Sequence, residues 1–355
     1  MIRTLIALLA MVCVRCVPVP TAPDTPNTPL TNGGFFVVCE GLWRQDNATL
    51  SYVTPSGNAE RDVVSSRNAG LRLGDTGSDI LVQGDSVFVC VSTSGTIEIF
   101  HRVTGNWQGR IRFMEGQEPY RIVRANDSIA YCSILNQDAI AEVRIKGYAR
   151  DPYLVFPVGP APEGLCVYGD RIYVANSGLG DLRKNESGSG TVSILDTRDL
   201  RLIRRINGLS NVMSCVADSA RGRIWITYRN LASQPDSLGG VVLIDPATDS
   251  IIDHQRYASP KGLVIDPQTG VVYILHRDGI DAFDPRSQAR TRVISHSSTN
   301  GNDVWYSLGW WKSQRALPVG NARTYVTDGE VIALDLNGTV RFKAGVGLNP
   351  AAFGD

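Results

Sequence analysis

The most concentrated surface chemistry in this 355-residue chain is aromatic: Trp305, Tyr306, Trp310 and Trp311 fall within seven residues of one another. With Trp43 in another loop-like stretch, they offer flat faces to a planar or apolar ligand, or to a protein partner. The same side chains also suit the packing of an irregular part of a core. Arg44, Arg183, Lys184 and Arg229 stand in segments rich in turn formers. An arginine or lysine there can hold a phosphate or carboxylate, or simply stay solvated. Tyr120 follows Glu118-Pro119 at the start of an apolar run, facing either a ligand or a neighbouring sheet. A further series of polar residues, Asn176, Tyr228, His276 and Asp328, sits near the ends of regularly spaced apolar runs. Such residues either orient a ligand at a common mouth or satisfy local backbone groups. His276 and Arg277 lead that series as contact candidates.

Other chemistries lack their residues. His101, His254, His276 and His296 show no HxH or HExxH spacing, so no metal site follows. No GxSxG is present. Asp245, Asp284 and Asp335 stand where turns are expected and already have a turn-making role. No catalytic residue and no cofactor is expected. Cys39, Cys90, Cys132, Cys166 and Cys215 are scattered without CxxC spacing and read as small buried hydrophobes. Lys plus Arg equals Asp plus Glu at 35 each, so no bulk field draws the chain to nucleic acid or to anionic lipid.

The elements that must position these residues are short strands. From Pro162 to Gly208, four apolar runs alternate with period two, bounded by Gly, Asp, Asn or Pro. An aromatic residue midway along the second run recurs as Phe36, Phe88, Tyr131, Tyr173, Trp225, Tyr273 and Tyr325, at gaps of 52, 43, 42, 52, 48 and 52 residues. Seven such units predict an all-β, seven-bladed β-propeller of four-stranded antiparallel blades over 32–355. The first unit shows three strands only, Phe35–Val38, Leu50–Val53 and about Arg61–Val64. The final segment, Asn349 to Asp355, repeats the pattern of Pro162 to Asp170 and is expected to supply the missing strand and close the ring. In the seventh unit Thr324–Val326, Val331–Leu334 and Val340–Ala344 read as strands, and the innermost one has no clear position.

Links between the first and second, and the third and fourth, strands are tight and alike. The opposite rim carries links of varied length: Glu40–Ala48, Ser65–Gly77, Leu179–Ser189, Arg229–Gly239 and His296–Ala316. That rim is the expected binding face. Trp43, Arg44, Tyr120, Asn176, Tyr228, Arg229, His276, Arg277, Trp310 and Trp311 are the expected ligand-binding residues.

Residues 1–16 combine Arg3 with a short apolar run, as a secretory signal does. Cys13 or Cys16 could be the lipidated residue of a lipoprotein signal, and 17–31 is a Pro/Thr-rich linker. Export is expected, to the cell surface, an outer-membrane anchor or the periplasm. Membrane association is expected only through a lipid anchor.

The stretches FFVVCEGLWRQDNATLSYVTPSGN and GLRLGDTGSDILVQGDSVFVCVSTSGTIEIF resemble the YncE-like seven-bladed propellers exported by Bacteroidota and relatives. Glu40-Gly41, Leu73 to Gly77 and Pro162-Glu163-Gly164 carry the likeness. Some of those proteins bind cobalamin beside an outer-membrane transporter. The rim asymmetry, the aromatic cluster and the lack of a catalytic set point to a non-catalytic, monomeric binding module for a small molecule, and the resemblance implies a corrinoid as that ligand. An envelope scaffold that docks another protein is the second expectation. A lactonase-like hydrolase, with acidic groups and a cation at the central mouth, is the third.

Overall fold

The computed structural model describes residues 28–30, 32–151, 154–296 and 303–355. The expected signal segment, Cys13, Cys16 and the linker up to residue 27 lie outside the described residues. Residues 28–30 lie against the folded part: the Leu30 side chain is buried, its N–H donates to the Val103 carbonyl at 2.7 Å, and Arg67 reaches the Thr28 carbonyl.

Seven four-stranded antiparallel sheets follow one another as the blades of a propeller. Their innermost strands, in blade order, are Pro350–Gly354, Gly77–Gln83, Pro119–Arg124, Pro162–Tyr168, Val212–Asp218, Gly262–Ile265 and Trp305–Leu308. The second strands are apolar on both faces, because each blade is sandwiched between two others. Phe36 and Val38 enter the cluster shared by blades 1 and 2, while Phe35 and Val37 enter the one shared by blades 7 and 1. This is the period-two alternation of a strand used to fill two interfaces at once. The other five clusters likewise lie between consecutive blades. Outermost strands such as Ala289–Ser295 are largely exposed and carry the charged residues.

The ring closes as the sequence implies. Pro350–Gly354 pairs with Phe35–Cys39, placing Phe36 opposite Gly354, Val37 opposite Phe353 and Val38 opposite Ala352. Three local expectations are corrected. The outermost strand of blade 1 is the short Ala59–Glu60, and Val63–Arg67 forms a helical turn capped by the Asp62 carboxylate. Blade 7 has Leu317–Asn321 as its second strand, so Thr324–Val326 is a loop and Tyr325 is not the counterpart of Tyr273. Its innermost strand is Trp305–Leu308, so His296–Ala316 is not one rim loop: the described residues 303–316 within it cross from one rim to the other.

Candidate functional site

The innermost strands surround a central cavity of about 570 Å³, within the size range of small-molecule sites. Every blade contributes to its wall. Toward the variable rim the wall is charged, with Glu40, Asp79, Arg121, Glu163, Arg229 and Lys261 joined by Tyr120 and Tyr306. Further along the same strands it becomes apolar, with Ile122, Leu165, Leu263, Leu308 and Phe353.

A local backbone device turns polar side chains inward. The pairing between innermost and second strand slips near the variable rim in blades 1, 2, 3, 4, 5 and 7: at Pro350/Ala352, Gly77/Asp79, Pro119/Ile122, Pro162/Leu165, Val212/Ser214 and Trp305/Ser307. A bulge inserts an unpaired residue and re-aims its side chain. Tyr120, Arg121, Glu163 and Tyr306 all sit within such slips. The freed backbone groups find new partners. Asp79 Oδ2 accepts the Ile122 N–H at 2.8 Å, and the Ser133 hydroxyl accepts the Arg121 N–H and donates to the Glu163 carbonyl, both at 3.0 Å.

The charges around the wall are not equivalent. Arg121 donates to the Ser78 carbonyl at 2.6 Å, lies 3.7 Å from Asp79 and covers the Tyr120 ring. Burial opposes its charge, but Tyr120, Asp79, Glu163 and Tyr306 outweigh that cost and hold its pKa above the usual range. Burial raises the pKa of Glu40, Asp79 and Glu163, against the opposing pull of the Tyr306 hydroxyl and Arg121 on Glu40, of Arg121 on Asp79, and of Ser177, Arg121 and Arg229 on Glu163. The Tyr306 hydroxyl donates to Glu40. Burial pushes the Tyr120 phenol up to about 12. Arg229 and Lys261, from blades 5 and 6, differ from Arg121. Their hydrogen bonds go to the backbone carbonyls of Pro260 and Trp305. Among the described residues neither forms an ion pair with a carboxylate. Burial first, and the neighbouring Arg229 charge second, bring Lys261 down to about 8.

Of the ten residues expected to bind a ligand, the structure brings Tyr120, Arg229 and Trp310 to this cavity. Trp310 reaches it from the repetitive rim, beyond the end of Trp305–Leu308, stacked on Tyr273 at 6.4 Å. Trp311 follows it there and is not on the variable rim. Its indole packs edge-on against Phe35 at 4.8 Å and donates to the Gly33 carbonyl, joining blades 7 and 1. Trp43 is 66% exposed on a variable-rim loop, with Arg44 over its ring. Arg277 is exposed beside Asp278.

The polar residues at strand ends are buried inside blades and do not face the mouth. Asn176 accepts the Gly159 N–H and donates to Thr191 and Ser193. Tyr228 bonds His254 and Arg256 across its own sheet, and His276 lies 3.3 Å from Asp281. Asn321, rather than Asp328, ends the second strand of blade 7, where it accepts the Val304 N–H and donates to Asp303 and Glu330. Among the other loop cations, Arg183 is clamped by Asp138 and Glu186, and Lys184 by Asp181.

Residues 33–255 match the family described as a domain of unknown function (DUF5074). The chain belongs to this family. The DUF5074 match spans blades 1 to 5, so it contains the cavity residues from Glu40 to Arg229, while Lys261, Tyr306 and Trp310 lie beyond it. No curated protein matches the sequence. Several solved structures share the fold. Hydrazine synthase of Kuenenia stuttgartiensis superposes with a TM-score of 0.66 at 14% identity, over 78% of this chain and 88% of that one. A quinoprotein alcohol dehydrogenase-like protein of Bacteroides thetaiotaomicron gives 0.63 at 15%, over 90% and 77%. A protein described as a candidate 6-phosphogluconolactonase from Bacteroides uniformis gives 0.65 at 10%, over 91% and 99%. At these identities the likeness is one of fold.

Proposed function

We propose that this DUF5074 protein is a binding module that takes a small molecule carrying a phosphate or carboxylate into its central cavity, without covalent chemistry. The observation that carries this reading is the pair Arg229 and Lys261: two cations on one side of the cavity wall, held by backbone carbonyls and, among the described residues, without a close carboxylate contact such as Arg121 makes with Asp79. An anion placed between them receives charge-assisted hydrogen bonds in a site partly shielded from water. The apolar strand segments beyond it, and Trp310 at the far end, would accept the rest of the ligand.

An exported address, expected from the N-terminal segment, would make this a capture site for uptake. The resemblance to surface propellers names a corrinoid as ligand. A corrinoid is larger than the cavity, so that version seats it over the mouth, beside Trp43 and Arg44. Titration calorimetry of the purified protein with inorganic phosphate, a sugar phosphate, a small dicarboxylate and cobalamin tests both versions. Heat with an anion that disappears in Arg229→Ala supports the cavity reading, and heat with cobalamin alone supports the mouth. No heat with any of them at tens of micromolar, where about −6 kcal/mol of affinity shows, overturns both.

One observation favours a second reading. Glu40, Asp79 and Glu163 all line the cavity, and a phosphorylated sugar lactone would place its phosphate at Arg229 and Lys261. The described residues hold no group of three His, Cys, Asp or Glu side chains arranged for a metal ion. Release of acid from 6-phosphogluconolactone, faster than the spontaneous rate and lost in Glu163→Gln, would favour hydrolysis over binding alone.

A further inference from the structure

We propose that Cys166 and Cys215 form a reversible disulfide that staples blade 4 to blade 5 beside the cavity, a small disulfide or a disulfide-bearing oxidoreductase serving as oxidant. The two residues lie on the innermost strands of consecutive blades, and their sulfurs stand 2.8 Å apart. A disulfide needs about 2.05 Å, so a small rotation of either side chain covers the difference. The close approach has a cause in the sequence. A Cβ on Gly164 would lie 2.6 Å from the Ser214 Cα and 2.8 Å from the Cys215 nitrogen, so only glycine lets these two backbones come together here.

The environment decides how the bond forms. Both side chains belong to the apolar cluster between blades 4 and 5, yet Cys215 also contributes to the cavity wall, which opens to solvent. Burial holds the Cys215 thiol well above the usual thiol range, and the thiolate is the attacking species. Exchange is therefore slow in the finished ring and fastest while the two blades are still docking. One cysteine thiolate attacks the oxidant's disulfide and releases one thiol. The other cysteine then displaces the second thiol and closes the Cys166–Cys215 bond. The net change is two protein thiols oxidised and one oxidant disulfide reduced to two thiols, with the protons carried by those thiols. The bond closes a long loop through most of blade 4, which narrows the unfolded ensemble. It suits the oxidising compartment expected of an exported chain.

The full chain, refolded in an oxidised glutathione buffer, is denatured, its free thiols are alkylated, and its peptides are mapped by mass spectrometry. The expected result is a Cys166 peptide joined to a Cys215 peptide, with Cys39 alkylated. The link should disappear after dithiothreitol, and the thermal midpoint should fall on reduction. The Cys166→Ser/Cys215→Ser double variant should show no such fall. Alkylation of both Cys166 and Cys215 in a folded, oxidised sample overturns the proposal, and so does a bond from either one to another cysteine. Because the readout is a covalent link in wild-type protein, it stands or falls independently of any ligand.

Discussion

Lys261 loses its proton more easily than an ordinary lysine, because burial strips water from the ammonium and Arg229 repels it. Its charge falls as pH rises through about 8, and with it half of the proposed anion grip. Affinity for an anion should be flat below that pH and decline above it, approaching about tenfold per unit. Calorimetry at constant ionic strength reads this directly, and Lys261→Met should flatten the profile. Stability responds with the opposite sign. Between about 8 and the unfolded value of 10.5 the unfolded chain holds a proton that the folded one releases, so stability rises with pH across that window. The same Lys261→Met variant should therefore melt higher than wild type at pH 7 while binding less. Arg229→Ala should cost about ten- to a hundredfold in anion affinity, from the loss of about 1.5–3 kcal/mol of charged hydrogen bonding. Arg183→Ala, which removes an arginine clamped by Asp138 and Glu186, should leave affinity unchanged.

The strands themselves were readable, and the bulges were not. Period-two alternation places Phe36, Phe88, Tyr131, Tyr173, Trp225 and Tyr273 correctly, because those second strands are regular and buried on both faces. At the start of the innermost strands a slip breaks the alternation, so a parity argument cannot tell which way Arg121 or Glu163 points. Glu40 and Glu163 stand in the very motifs that carry the family resemblance, yet each looks like scaffold until the ring brings it to the axis. The sequence cue that could have exposed the site is a charged or tyrosine residue at or just before the start of five of the seven innermost strands: Asp79, Arg121, Glu163, Lys261 and Tyr306. Blade 7 misleads for another reason. Pro318 and Gly320 weaken the apolar pattern of its second strand, so the aromatic Tyr325 in the next loop attracts the assignment. At this scale, Gly164→Ala should destabilise the protein by about 1–3 kcal/mol through forced separation of two backbones. Urea unfolding measures it, and a loss below a few tenths would show that blades 4 and 5 are not locked together there.

Across the whole molecule, stability is a circular sum: seven interfaces, each filled by residues from two blades, and one of them sealed by Trp311 against Phe35. Trp311→Ala should cost about 3–5 kcal/mol and leave anion affinity nearly unchanged, since the indole is remote from Arg229 and Lys261; denaturant midpoints and calorimetry separate the two effects. The pairing of Pro350–Gly354 with Phe35–Cys39 also fixes an order of events. Within the ring, blade 1 is begun first and completed last, after six other sheets have been made. Until residue 350 emerges, the edge of Phe35–Cys39 that Pro350–Gly354 covers has no partner, and the unfinished ring carries a bare strand edge. A chain cut short of Pro350 would keep that edge bare and stand poised to pair with its own kind.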